Sequence, residues 1–423
     1  MPTTAVFRDL KTRLLMALGA VALAALALPV LAAAAPNPKP AVLSFRTASV
    51  GAPGNPAVAI IPFNDAIYRS CAEAPVVEKK PCQEVGSVGY SYGVGQLEVT
   101  VSQWVAFLNT VDPEGRNRHH LYSHTESGKA WPRFGQIDYS RGAKPGHHYS
   151  LAAKEWADKP YGFANFLRAA RFINSLDNGK VLSHVASSEN GFTYTTYRVR
   201  LSSKTETGMY DMAKPATERR HKSGFVLPSQ DEWIKAAYYD PKGGGTYSYW
   251  KYPTNPGTFG AGEADAPTES QLDPTNGDVT NAGTQPLATF HMPKAATAPA
   301  WCPSNRTASE CASVNPFHFP QEKYEKAFAG SLSTVGQART LGLWGTLDMG
   351  GNAVEWTDTI TVPPFGVKGH RVWRRLHGGI ANAPAYQLWL SAIGLQPQDN
   401  SAFTATYPWL GFRIGAIGSL LGS

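Results

Sequence analysis

Apolar positions along the chain mark three helices set among long polar, turn-rich stretches. Thr100 and Gln103 form a T-x-x-Q capping box, which predicts a helix running through Trp104, Phe107 and Leu108. From Tyr161 to Leu176, Phe163, Phe166, Leu167, Ala170 and Ile173 recur at three-and-four spacing, the signature of one apolar helix face. Asn178 and Gly179 stop that helix. Ser229 and Glu232 make another capping box, and the third helix carries Trp233, Ala236 and Ala237 inward before Pro241 and the glycines after it. Upstream, Gly86 to Thr100 alternates apolar with small or polar residues, as a strand or hairpin does.

Between Pro241 and Gly342 lie about a hundred residues rich in proline, glycine, asparagine and threonine, with few periodic apolar stretches. Ordering such a loop costs conformational entropy, so it needs an anchor: a metal ion, a disulfide or docking on a rigid core. With 40 glycines and 32 prolines beside 11% aromatic residues in 423, the composition predicts a loop-rich α+β chain over a real hydrophobic core.

Residues 1–35 read as an export signal: Arg8, Lys11 and Arg13 precede an apolar run from Leu14 to Leu31, then Ala32 to Ala35 and Pro36. Cleavage is expected near Ala34 or Ala35. An uncleaved membrane anchor is the competing reading, because a run of about 18 apolar residues nearly spans a bilayer. Residues 36–49 read as an alanine- and proline-rich linker and 50–423 as the folded domain. The expected location is secreted, periplasmic or cell surface, with membrane contact only if the signal segment is uncleaved.

Export bears on the cysteines, which fall as two close pairs, Cys71 with Cys82 and Cys302 with Cys311. In an oxidising compartment two local disulfides are the simplest pairing, although the count of four allows three connectivities. The formal charge of +7 is spread along the chain, apart from Arg219 to Lys222 and the Arg371, Arg374 and Arg375 group. No nucleic-acid motif accompanies either cluster, so both read as solvated basic faces and no nucleic-acid partner is expected. Gly89-Tyr90-Ser91-Tyr92-Gly93 has G-x-S-x-G spacing but falls inside the expected strand or hairpin rather than at a strand-to-helix elbow, and no glycine-rich phosphate loop precedes a helix, so the hydrolase and kinase readings are dropped. His120 and His124 share helical i, i+4 spacing, but no glutamate completes a zinc motif and their segment is polar.

Four segments taken in order carry a family resemblance: Gly95-Gln96-Leu97-Glu98-Val99-Thr100; Leu227-Pro228-Ser229-Gln230-Asp231-Glu232-Trp233; Asp348-Met349-Gly350-Gly351-Asn352-Ala353-Val354-Glu355-Trp356; and Gly411-Phe412-Arg413. With His377-Gly378-Gly379 between the last two, the chain after the linker resembles the formylglycine-generating-enzyme, or sulfatase-modifying-factor, family. The resemblance implies a C-type-lectin-like fold with little regular secondary structure and bound calcium. It implies a structural calcium site made by the side chains of Asp348 and Glu355 and the carbonyls of Gly351 and Ala353. Carboxylates interleaved with carbonyls suit a hard cation that takes roughly six to eight oxygens. The competing reading is a turn before a strand, with Glu355 satisfied by a neighbouring arginine.

The family's copper-dependent members bind Cu(I) through two cysteines after the Gly-Gly motif, soft ligands that select that ion. The matching positions here are near Ala383 and Leu388, and His377 and Ile380 replace the usual arginine and serine on either side of Gly-Gly. Copper binding, and with it the copper-type formylglycine activity, is therefore not expected; any remaining activity would be an oxidoreductase of this family. The segment offers aromatics and amides instead, with Asn382, Tyr386, Gln387, Trp389, Asn400 and Trp409 as ligand-binding candidates. The alternative function is thus a non-catalytic module binding a carbohydrate, peptide or protein. A display protein that diversifies its C-terminal loops is a more distant reading of the same scaffold.

Overall fold

Val42–Val50 is a strand with Leu43, Ala48 and Val50 buried. In this computed structural model the described residues are 38–60, 83–129, 135–214, 216–243, 248–254, 266–273, 276–283, 285–290, 332–361, 372–381, 385–392, 394–398 and 409–421. Val42–Val50 pairs antiparallel with Tyr92–Gly95 on one side and Phe192–Arg200 on the other. The stretch expected to be linker up to Ser49 is therefore mostly an inner strand. Its alternating Leu43 and Phe45 sit directly after the alanine- and proline-rich lead-in, which hid the period of two.

That strand belongs to an antiparallel sheet of six, in the order Lys180–Glu189, Phe192–Arg200, Val42–Val50, Tyr92–Gly95, Gly415–Ile417 and Gly224–Val226. The first and last of these strands along the chain flank the same neighbour, Tyr92–Gly95, so the fold closes on itself. Lys180–Glu189 and Phe192–Arg200 form a hairpin whose turn, Asn190-Gly191, has φ of 53° and 81°. Positive φ at both central residues is the type I′ turn that matches strand twist. A second sheet runs Gly394–Pro397, Trp373–His377, Val354–Thr361 and Leu410–Gly411, with only the last pair parallel.

Helix α1, Val101–Val111, starts at the expected capping box: the Thr100 hydroxyl accepts from Gln103 N and the Gln103 side chain accepts from Thr100 N. Helix α3, Gln230–Tyr238, has the same reciprocal cap from Ser229 and Glu232. Helix α2, Phe166–Asp177, begins later than its apolar pattern, with Asn165 as cap. Tyr161 and Phe163 lie in an extended segment, Tyr161 N donating to Val99 O at 2.8 Å and Phe163 bridging Leu410. Both side chains are still buried, which is why they continue the helical spacing.

The main core joins α1, α2 and the C-terminal strands. Trp104 stacks on Tyr161 with ring centroids 4.2 Å apart, while Phe107, Phe172 and Phe412 close around it. A smaller core gathers Tyr252, Ala288, Phe290, Ala385, Leu388 and Trp389. Within the long 241–342 stretch, Thr268–Glu269 pairs in parallel with Leu287–Ala288, which ties part of it down. The architecture is α+β, and among the described residues no helix is long and apolar enough to cross a membrane. Residues 1–35 and all four cysteines, Cys71, Cys82, Cys302 and Cys311, lie outside the described residues.

Candidate functional site

The four signature segments meet at one buried guanidinium. Arg413 is fully buried; its Nε donates to Glu355 Oε2 at 2.6 Å, and one terminal nitrogen donates to Glu355 Oε1. Its terminal nitrogens also donate to the carbonyls of Gly95 at 2.9 Å and Asp348 at 3.1 Å. Trp233 Nε1 adds a 2.8 Å bond to Glu355 Oε2. Glu98 accepts from Ala353 N at 3.1 Å and Asn352 Nδ2 at 3.2 Å. Each motif thus contributes to one network of charge-assisted bonds, the kind that must be complete when buried.

Three buried carboxylates, Glu98, Asp348 and Glu355, face this one guanidinium. Burial raises the Glu98 carboxyl well above the usual range, and the charges of Asp348 and Glu355 push the same way. Burial likewise raises Asp348 to about 6, with Glu355 adding to it and the Gly336 amide and Arg413 opposing. Of the calcium candidates, Asp348, Gly351 and Ala353 lie in the irregular stretch leading into the Val354–Thr361 strand, and Glu355 lies at the start of that strand. Asp348 and Gly351 have φ of 52° and 84°. A Cβ at Gly351 would come within 2.1 Å of the Thr289 carbonyl oxygen, so that position requires glycine.

An excess of buried carboxylate over guanidinium, all hard oxygen donors, has the charge and chemistry that suit a divalent cation. The competing contact is Arg413, because an ion would share Glu355 with the guanidinium and Trp233. Among the described residues no three or more His, Cys, Asp or Glu side chains converge on a single metal position.

Around the Gly-Gly motif the site is packed. Leu388, at one expected copper position, is fully buried; it lies against Gly350 and Gly379, and its carbonyl accepts from the Tyr238 hydroxyl at 2.9 Å. Ala383, at the other, is outside the described residues. His377 is buried and stacks on Trp233, ring centroids 5.1 Å apart. Burial, with Arg375 nearby, lowers its pKa to about 3, so its imidazole is neutral. Ile380 is buried beside it.

The ligand-binding candidates divide. Asn382 and Asn400 lie outside the described residues. Tyr386 and Gln387 belong to the short 3-10 turn Ala385–Leu388, where Gln387 is half-buried. Trp389, 8% exposed, packs in the smaller core with the Lys251 ammonium 5.4 Å from its ring. Trp409 is half-buried against the main core, and its carbonyl accepts from Val354 N at 3.0 Å. The two tryptophans therefore pack into different clusters. Of the histidines, His119 approaches Glu206 at 3.5 Å and His124 opens a short 3-10 helix.

One centre escaped the sequence reading. Arg219, expected on a solvated basic face, turns inward and donates to Glu232 Oε1 at 2.9 Å and Oε2 at 2.6 Å, and through Nε to Asp358. Tyr90 and Tyr210 hydroxyls complete the set on Glu232 and Asp358. Burial alone would raise Glu232, yet Arg219 holds it below the usual carboxylate range. An open recess of about 370 Å³ lies over this centre, lined by Tyr90, Glu218, Arg219, Ser229, Asp358 and Ile360. Tyr90 is 45% exposed and Ile360 37% at its rim. No local pattern signals this centre, since Asp358 is 139 residues from Arg219.

No family model matches the chain, and no curated protein matches it. Among solved structures, the chain is similar to Treponema denticola variable protein 1, with TM-score 0.40 and 15% identity over 90% of this chain and 100% of that one. It is similar to PvdO from Pseudomonas aeruginosa, with TM-score 0.36 and 12% identity over 90% and 95%. It is also similar to CarF, with TM-score 0.35 and 14% identity over 89% and 99%.

Proposed function

We propose that this chain is an exported recognition domain on a sulfatase-modifying-factor-like, C-type-lectin-like scaffold, without the copper-type formylglycine chemistry, whose ligand is a peptide, protein or carbohydrate. The observation that carries this reading is Leu388: where a soft thiolate would be needed, a fully buried aliphatic side chain packs on Gly350 and Gly379. The recess rimmed by Tyr90 and Ile360 supports the binding half of the reading, because an exposed ring beside hydrogen-bonding groups suits sugars and peptide segments. Calcium belongs to the same proposal as a structural ion held by Asp348 and the carbonyls of Gly351 and Ala353, sharing Glu355 with Arg413. It would neutralise buried carboxylates and pin the turn.

The test is binding of the purified chain to arrayed glycans and peptides. Saturable binding that Tyr90→Ala or Gln387→Ala weakens about tenfold, with the melting temperature unchanged, supports the reading. Absence of any saturable ligand across both arrays, or binding indifferent to both substitutions, counts against it.

A further inference from the structure

Lys180–Glu189 is the outer strand of the six-stranded sheet, pairing among the described residues only with Phe192–Arg200. Both of its faces are open: eight of its ten residues are exposed and the other two half-buried. Val185, 60% exposed, and Leu182, 36%, are apolar side chains left in water. The strand holds no proline, and its only full charges are Lys180 at one end and Glu189 at the other. Free edges of this length and composition pair with another strand unless something blocks them.

The hairpin fixes which backbone groups are free. In a two-residue turn the flanking residues, Glu189 and Phe192, form a hydrogen-bonded pair, and the pattern then alternates. Glu189, Ser187, Val185 and Ser183 therefore direct their backbone groups to Phe192–Arg200, while Ser188, Ala186 and His184 direct theirs outward. The register slips between Val181 and Ser183, so Leu182 is an extra residue and the alternation resumes one position earlier, with Val181 facing outward.

We infer that this edge pairs antiparallel with the same strand of a second copy of the chain, the two-fold axis passing between the two Val185 residues. In that register outward-facing His184 meets Ala186 of the second copy, and Ser183 meets Ser187. Past the Leu182 bulge, Val181 meets Ser188 and Lys180 meets Glu189, at both ends by symmetry. Every outward residue then meets an outward residue, the exposed valines cover each other, and the two charges of the strand neutralise those of its twin. Without the bulge the lysine and glutamate would miss each other by one residue. Arg46 already lies 2.6 Å from Glu189, whose side chain is 57% exposed and has room for a second cation. Such pairing makes one continuous sheet across two chains.

The test uses the full chain in solution by light scattering after size exclusion, across 1 to about 100 µM, a range spanning usual weak-dimer affinities. Wild type is expected as a concentration-dependent dimer. Lys180→Glu and Glu189→Lys should each shift it to monomer, and the double swap should restore the dimer, which general surface damage would not do. Val185→Cys should cross-link the two copies on mild oxidation, since Cα atoms of a non-hydrogen-bonded pair lie about 4.5 Å apart, within disulfide reach. Thr193→Cys, exposed on the neighbouring strand, should not. A wild-type monomer at the highest concentration overturns the inference, and so does a dimer that survives both single reversals.

Discussion

Arg413 and Glu355, 58 residues apart, form a fully buried fork in which the guanidinium Nε and a terminal nitrogen each take one carboxylate oxygen. Neither group has water to fall back on, so the pair's partners are obligatory. Removing one side leaves an uncompensated buried charge, which costs about 3–5 kcal/mol. Arg413→Met and Glu355→Gln are therefore expected to lower unfolding free energy by that amount in urea titrations. Arg413→Lys should rescue little, because a single ammonium cannot reproduce the fork.

Gly351 is held at φ 84° against the Thr289 carbonyl. Gly351→Ala should destabilise by about 2–4 kcal/mol, combining left-handed strain with a backbone clash. Gly142, with open space around it, should accept alanine with a change under about 0.5 kcal/mol. Thermal melts of the two variants give the comparison.

Two groups of the same region give stability opposite pH slopes. His377 is depressed from its ordinary 6.5 to about 3 when folded, so only the unfolded chain takes up its proton between those values. Its contribution is to weaken the fold as pH falls below about 6.5, by roughly 4 kcal/mol once pH 3 is reached. Asp348, raised to about 6, does the reverse: the folded state keeps a proton that the unfolded state has released, so this group adds stability as pH falls from about 6 towards 4. His377→Gln should flatten the acid loss and Asp348→Asn the gain, each measured as unfolding free energy against pH in chelator.

Calcium would compete for the same carboxylates. If the ion binds there, a chelator lowers the melting temperature, and Asp348→Ala removes that sensitivity. Identical melts with and without chelator would show that the Arg413 network stands without an ion.

The sequence announced what depends on neighbouring residues. Helices α1 and α3 were legible because each capping box lies within four residues, and the structure makes both reciprocal bonds. The hairpin was also local, carried by Asn190-Gly191, but its outer strand, Lys180–Glu189, is too polar and exposed to stand out by hydrophobicity. The start of α2 was misplaced because burial and helicity part company at Tyr161 and Phe163. The signature motifs were readable singly, yet their meeting at Arg413 depends on Glu98 reaching Asn352 and Ala353 across more than 250 residues. Arg219 misled for a related reason: its charge is visible in sequence, while Glu232 and Asp358, which draw it inward, are not visible as its partners.

The most direct measurement incubates the purified chain with copper, oxygen and a cysteine-containing sulfatase-type peptide, and follows the peptide by mass. With Leu388 packed where a thiolate would be required, the peptide should keep its cysteine, matching a metal-free control. Formylglycine formed above that control would contradict the account.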